Sequence, residues 1–181
     1  MQIEAELAEL SPRKDMIITI GVFDGVHLGH QHLISRLKES ARRQNLLSGV
    51  VTFDQHPSAV LSPKTSIPFL TDVATRTSLL KNEGVNAVIA LSFTRELAQL
   101  SAREFISLLK KHLRMRGLLI GSDFVLGHNQ GGDIKALCRL GQEMNFSVTV
   151  VPPLEIADEV VSSTSIRNAL TIGDMERVTR L

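Results

Sequence analysis

Tryptophan and tyrosine are both missing from this 181-residue sequence, and cysteine occurs once, at Cys138. Seven phenylalanines are therefore the only benzenoid side chains available for stacking. A lone cysteine excludes an intramolecular disulfide framework. Cys138 falls in the pattern Ile134, Leu137, Cys138, Leu140, which predicts a small core residue rather than a nucleophile or metal ligand. No apolar run approaches the roughly 18 residues of a membrane-spanning helix. The amino terminus, Met1-Gln2-Ile3-Glu4-Ala5-Glu6, lacks the basic region of a signal peptide, so a cytoplasmic location is the default expectation. Charge of one sign is also lacking. Lys and Arg total 20 against 19 for Asp and Glu, a formal net charge of +1, which gives no electrostatic case for a nucleic-acid or membrane partner. The basic run Lys110-Lys111-His112-Leu113-Arg114 sits near an expected helix C-terminus, where the helix macrodipole accounts for it. Internal repeats and low-complexity segments are absent.

What is present is ordinary for a globular chain: 43% apolar and 22% charged residues, enough to close a sizeable core in one domain spanning 1–181. Residues 1–15 read as a lead-in, a short strand or helix. The β-branched run Met16-Ile17-Ile18-Thr19-Ile20 opens a buried strand that extends to about Val22, and apolar spacing predicts a helix over about 30–44. Residues 46–53 form a second strand, followed by a long polar, proline-bearing loop from Asp54 to Pro68. Thr71-Asp72 can cap a helix to about Asn82, closed by Gly84. Residues 87–91 form the third strand, and Ser101-Ala102-Arg103-Glu104 has capping-box form, opening a helix to about Arg114. Residues 118–121 are a fourth strand, then comes a glycine-rich loop through Asp133, a helix to about Met144, and a fifth strand over 147–151 stopped by Pro152-Pro153. One or two short helices follow Ser162. Short apolar strands alternating with amphipathic helices predict an α/β fold, a parallel five-stranded sheet with helices on both faces. In such sheets ligands bind beyond the carboxyl ends of the strands, where the strand order reverses.

Three stretches can carry chemistry there. Gly21-Val22-Phe23-Asp24-Gly25-Val26-His27-Leu28-Gly29-His30 joins the first strand to the first helix, so free helix N–H groups and two imidazoles three residues apart can face one anion. Alone, His27 and His30 could be half of a zinc site, with Asp24 nearby in sequence, but zinc needs further ligands. No metal is assigned to protein side chains. Ser162-Ser163-Thr164-Ser165-Ile166-Arg167 offers hydroxyls at a helix start and an arginine one turn in, a second phosphate grip. Gly121-Ser122-Asp123-Phe124-Val125-Leu126-Gly127, followed by Gly131-Gly132-Asp133, can be a bare turn or part of a binding loop.

The first stretch resembles the His-x-Gly-His signature of the nucleotidyltransferase superfamily, which has a Rossmann-like fold. Its Phe-Asp-Gly-Val-His form is most similar to the FMN adenylyltransferase module of the bacterial bifunctional riboflavin kinase/FAD synthetase family. Ser-Ser-Thr-x-Ile-Arg near the C-terminus and the Gly-x-Asp-Phe block match the same family. So do Thr52-Phe53-Asp54-Gln55-His56-Pro57 and Phe93-Thr94-Arg95-Glu96-Leu97-Ala98-Gln99-Leu100-Ser101, all in order from about Ile18 onward. The resemblance implies transfer of AMP from ATP to FMN with magnesium, yielding FAD and pyrophosphate. It implies that Gly21, Phe23, Asp24, His27, Gly29 and His30 line the ATP site. His27 and His30 would donate to the phosphates, and Ser163, Thr164 and Arg167 would close over the triphosphate, these five being the catalytic set. As a general base His30 would have little to do, because the phosphate of FMN is already ionised near pH 7. The flavin side would be His56, Leu61, Asp123, Phe124 and Leu126. The partners implied are small molecules, ATP and FMN, and a riboflavin kinase domain is expected to be absent from these residues.

The sequence departs from the family pattern in places. Gln55 replaces a proline, which should loosen the loop that bears His56, and Leu61 and Leu126 stand where relatives often carry aromatic rings. With no Trp or Tyr, stacking on the flavin falls to Phe53, Phe69 or Phe124. Val160-Val161 precede the Ser-Ser-Thr block where a basic residue is common, and His128 and Gln130 stand where the glycine loop commonly carries Lys and Arg. Two other readings stay open: a related nucleotidyltransferase with a pantetheine-phosphate, nicotinamide-mononucleotide or cytidylyl-transfer acceptor, and a flavin- or nucleotide-binding module without turnover.

Overall fold

Continuous apolar runs too short for helices pair as parallel strands. In chain order the elements are α1 (Gln2–Ala8), β1 (Met16–Ile20), α2 (Leu28–Arg43), β2 (Leu47–Phe53), α3 (Pro57–Leu61), α4 (Val73–Asn82), β3 (Ala87–Leu91) and α5 (Arg95–Gln99). They continue with α6 (Ala102–Leu113), β4 (Met115–Gly121), α7 (Ile134–Met144), β5 (Ser147–Val151), β6 (Glu155–Ile156), β7 (Glu159–Val160), α8 (Ser163–Thr171) and α9 (Met175–Arg180). The computed structural model describes residues 2–10, 12–61, 67–127 and 131–181; His128 and Gln130 lie outside them.

The sheet order is β3-β2-β1-β4-β5, all parallel, so the chain winds outward from β1 to β3 and then crosses back to lay β4 against the other side of β1. All five residues of β1 are buried. Met16, Ile18 and Ile20 point into a core shared with Leu7 of α1 and Phe105, Ile106 and Leu109 of α6, while Ile17 joins Ile34 and Leu37 of α2 and Leu80 of α4 on the opposite face. This period-two partition, with both faces covered by helices, explains the absence of polar alternation in β1. The cover thins at the edge, where β5 leaves Ser147, Thr149 and Val150 exposed. No described helix is long and apolar enough to cross a membrane.

The expected caps are present. The Asp72 side chain accepts from the Thr75 N–H at 2.7 Å, and Ser101 and Glu104 form the reciprocal capping box of α6. Three expectations need correction. The connection from Asp54 to Pro68 contains α3 rather than being structureless. Cys138 is exposed, because the buried side of α7 is built on Leu137 and Gly141, with Ile134, Leu140 and Met144 half-buried against the core beside them. Gln55 does not loosen its loop. Its side-chain amide donates to the Phe93 carbonyl at 3.0 Å, while the Asp54 carboxylate accepts from the Phe93 N–H at 2.9 Å, and the pair ties the loop to the end of β3. The sequence also gave no sign of α5 or of the hairpin formed by β6 and β7, whose turn residues Ala157 and Asp158 both have positive φ, as a tight hairpin turn requires.

Candidate functional site

Beyond β1 the chain takes a contorted turn, with Phe23 at φ 54°, Gly25 at φ 83° and Val26 at φ 42°. Left-handed backbone at a phenylalanine and a valine costs roughly 1–3 kcal/mol each and persists only where the surroundings fix it. Here the fixing group is Asp24, 2% exposed. Its carboxylate accepts from the Leu70 N–H at 2.9 Å, the Thr71 N–H at 3.0 Å and the Thr71 hydroxyl at 3.3 Å, and it forms an ion pair with Arg167 of α8. The Gly25 N–H donates to the Thr71 hydroxyl at 3.1 Å, and the Ser163 hydroxyl donates to the Asp24 carbonyl at 2.9 Å. The turn after β1, the segment before α4 and the start of α8 thus converge on one residue.

His27 is the N-cap of α2 but makes no side-chain cap; the Leu28 N–H donates to the Leu181 carbonyl at 3.2 Å, and it is Gly29 and His30 of the first turn that line the cleft. The His27 and His30 rings stack at 3.7 Å between centroids, 23° from parallel, and Phe23 lies 5.1 Å from His30 on a tilted plane. Burial pushes the His27 imidazole down to about 4, against the pull of Asp24 and assisted by Arg167. Burial also holds His30 well below its ordinary range, and His27 adds to the effect. Both rings are therefore neutral near pH 7, each with a single N–H to donate. The Nδ1 atoms of both are buried and have no hydrogen-bond partner among the described residues.

Gly29 lets this pair meet α8. A Cβ there would lie 2.8 Å from the Val161 carbonyl oxygen and 3.2 Å from the His27 ring. Val161 leads directly into Ser162, whose hydroxyl caps α8 by accepting from the Ser165 N–H at 3.1 Å. Two helix N-termini thereby open on one space. It is a cleft of about 550 Å³ above the carboxyl ends of β1 and β4, where the strand order reverses.

Phe23, Asp24, His27, Gly29, His30, Ser163, Thr164 and Arg167 all line this cleft. Gly21 does not. It lies beneath the Phe23 ring, where a Cβ would come within 3.1 Å of that ring. Of the residues expected on the acceptor side, His56 and Asp123 line the cleft, and Leu61, Phe124 and Leu126 do not. Leu61, at the end of α3, is 62% exposed. Phe124 and Leu126 pack against the core on the α6 face. Leu126 is drawn there by reciprocal backbone bonds with Gly132 of 3.0 and 2.8 Å, and Gly127 and Gly132 lie so close to Ala102 that neither could carry a Cβ without displacing it.

His56 accepts at Nδ1 from the Ser58 N–H at 3.1 Å, with the Ser58 hydroxyl 2.7 Å from the same nitrogen. The proton of the neutral ring is therefore on Nε2, and burial, then Arg167, lowers the pKa enough to keep the ring neutral. Arg76 escaped the sequence reading. Fully buried on α4, it donates to the Phe53 carbonyl, its guanidinium lies 4.8 Å over the Phe69 ring, and Nε and Nη1 have no partner among the described residues. The available signal was an arginine four residues before Leu80, on the face of α4 that must be buried. Val160, which stands where a basic residue is common in the family, also lines the cleft, as do His32, Leu33 and the Pro152-Pro153-Leu154 turn, which no sequence motif marks for it.

For a divalent cation, the carboxylates lining the cleft among the described residues are Asp24, already committed to four donor groups, and Asp123. No cluster of three or more metal-ligating side chains occurs among the described residues. This donor set suits an ion carried mainly by substrate phosphates, with at most one or two protein carboxylates.

The family model for FAD synthetase matches residues 10–165. The chain is 36% identical to a bifunctional riboflavin kinase/FMN adenylyltransferase of Pseudomonas fluorescens, over 100% of this chain and 58% of that protein. It is 36% identical to the protein of the same name from Escherichia coli K12, over 88% of this chain and 51% of that one. The Listeria monocytogenes protein of that name is 32% identical over 91% of this chain and 52% of its own length. The chain thus spans little more than half the length of these curated relatives. A solved structure described as a macrolide-efflux protein from Streptococcus pneumoniae superposes with a TM-score of 0.86 at 28% identity, covering 100% of this chain and 58% of that one.

Proposed function

The chain belongs to the FAD synthetase family, and from that premise we propose that it transfers the AMP moiety of ATP to FMN, giving FAD and pyrophosphate. A phosphate oxygen of FMN forms a bond to the α-phosphorus of ATP as the bond from that phosphorus to the bridging oxygen of the β-phosphate breaks. The observation that supports this best is the meeting of two helix N-termini, the stacked neutral imidazoles and Arg167 around one cleft.

Negative charge builds on the non-bridging and leaving oxygens in such a step, so the protein's work is to position phosphates and surround them with fixed donors. His27 and His30 give one N–H each toward the α-phosphate, and the uncapped first turn of α2 adds backbone N–H groups. Ser163, Thr164 and the start of α8 face the leaving pyrophosphate, with the unused N–H groups of Arg167. Neutral imidazoles suit this role, because no proton need be removed from a phosphate that is already ionised. His56, through Nε2–H, and Asp123 meet the acceptor. Magnesium, held by the phosphates with Asp123 as the one uncommitted carboxylate of the described cleft, would supply charge neutralisation.

Purified protein incubated with magnesium, ATP labelled at the α-phosphate and FMN should yield labelled FAD. Riboflavin in place of FMN should give no FMN. Binding without product would make the chain a flavin or nucleotide receptor, and label transferred to pantetheine phosphate, nicotinamide mononucleotide or a cytidylyl-transfer acceptor, but not to FMN, would overturn the acceptor.

A further inference from the structure

Residues 67–71 run as a strap between the two ends of the cleft, and they are gripped from both sides. On the nucleotide side, Arg167 Nε donates to the Pro68 carbonyl at 2.9 Å, the Asp24 carboxylate accepts from the Leu70 and Thr71 N–H groups, and Leu70 packs into the apolar cluster of Val161 and Ile166. Gly25 admits this seating, since a Cβ there would lie 3.0 Å from Leu70 Cδ1. On the acceptor side, the ring of Phe69 carries the Arg76 guanidinium on one face at 4.8 Å and meets His56 edge-on at 6.0 Å. With Arg76 on one face and His56 at its edge, Phe69 is placed to hold both groups.

We propose that Phe69 is a positioning residue: carried on the 67–71 strap, it sets the orientation of His56 and makes binding of the acceptor and of the nucleotide mutually reinforcing. The proposal rests on the adenylyl-transfer reading. A guanidinium has five N–H groups, and the bonds to Pro68 and Asp24 use two, so Arg167 can take a phosphate without releasing the strap. A nucleotide phosphate on Arg167 thereby fixes the Pro68 carbonyl, and the next residue in the chain is Phe69. Coupling of this kind is reciprocal, so each ligand must tighten the other by the same factor.

The test is equilibrium binding of FMN, followed by its fluorescence, with and without a non-hydrolysable ATP analogue and magnesium. The analogue should tighten FMN about fivefold or more, and FMN should tighten the analogue equally. In Phe69→Leu the mutual effect should fall to within about twofold of none, while the analogue alone binds within about twofold of the unmodified chain. Phe69→Tyr, which keeps the ring, should restore the coupling. Thr71→Val, which removes the hydroxyl's bonds to Asp24 and from Gly25 and leaves the backbone bonds of Leu70 and Thr71 to Asp24, should weaken it and provides a second route if the leucine variant does not fold. Two ligands that bind without influencing one another, or coupling that survives in Phe69→Leu or is undiminished in Thr71→Val, would overturn the proposal and leave adenylyl transfer standing. Failure of the unmodified chain to bind FMN at all would remove the parent reading, and this proposal with it.

Discussion

At the nucleotide end of the cleft, the bonds that fix the site join parts of the chain far apart in sequence: Asp24 to Leu70 and Thr71, Ser163 to Asp24, Arg167 to Asp24 and Pro68. At the acceptor end, the hydrogen bonds on the side chains that reach the cleft are local, and the non-local hold on His56 is the edge of the Phe69 ring. His56 is bonded to Ser58 two residues away, and Asp123 makes no hydrogen bond among the described residues. Non-local bonds on a buried carboxylate keep their geometry before any ligand arrives, which charge stabilisation requires. Local bonds leave an element free to adjust, which is tolerable where the task is to admit a second substrate. The largest effects of substitution should therefore fall at the nucleotide end.

Asp24→Ala attacks that difference most directly. It removes the carboxylate from Arg167, from two backbone N–H groups and from a hydroxyl at once, leaving a guanidinium partly buried and unpaired. The expected loss is about 3–5 kcal/mol of stability, read from the denaturant midpoint. Asp24→Asn, which keeps one acceptor oxygen, should lose clearly less. Equal losses would mean that charge on Asp24 matters little.

His30→Ala tests the same end through turnover. Removing one preorganised donor to a developing oxyanion lowers rates by about 100- to 1,000-fold. Single-turnover FAD formation at saturating ATP should show that drop, with FMN affinity changed by less than about threefold. An unchanged rate would show that the stacked pair does not act on the transition state. Gly29→Ala lies one step further from the chemistry. Its Cβ would meet the Val161 carbonyl at 2.8 Å, a backbone atom with little room to yield, so α2 and α8 must separate. The expected loss is about 1–3 kcal/mol, with the KM for ATP raised more than the KM for FMN.

Much of the nucleotide end was legible in the sequence because its chemistry is concentrated in two short motifs, each fixed at the join of a strand or loop to a helix. The strand that precedes Gly21 and the helix that follows His27 are both signalled by apolar period, so the turn between them could be located from sequence alone. What could not be read was the purpose of Asp24. Its carboxylate faces Leu70 and Thr71, an association that only the folded chain creates. The acceptor end is hard to read from sequence for a related reason. Phe124 and Leu126 look like a binding wall in a linear motif, but the glycines beside them let the loop press down on Ala102, and that packing turns both side chains into the core. Arg76 stayed hidden because propensity treats a helical arginine as a surface residue.

Acid should expose the nucleotide end as well. Burial holds the folded His27 at about 4 against an ordinary 6.5, and His30 is shifted in the same direction. Below pH 6.5 the unfolded chain takes up protons that the folded chain refuses, so these groups leave stability level above 6.5 and lower it as pH falls toward 4. Each contributes at most about 1 kcal/mol per pH unit once solvent screening is allowed for. Urea midpoints measured from pH 7.5 down to 4.5 should fall in that window, and His30→Gln should flatten the fall. A midpoint that rises as pH drops from 6.5 would reverse the assigned burial.

The smallest effect should come from Leu61, and its smallness is informative. If the acceptor pocket used Leu61 as an apolar wall, shortening it would weaken FMN by the transfer value of the lost methyl groups, about 1–2 kcal/mol. The side chain is instead 62% exposed at the end of α3 and outside the cleft, so Leu61→Ala should change stability by no more than about 0.5 kcal/mol and the KM for FMN by less than about twofold. Leu61→Phe separates the two accounts further. On an exposed helix end the larger ring gains nothing, whereas a pocket wall would reward it with tighter flavin binding. An increase in FMN affinity of tenfold would show that α3 folds inward over the flavin and that the acceptor end is built by its ligand, in contrast to a nucleotide end already complete without one.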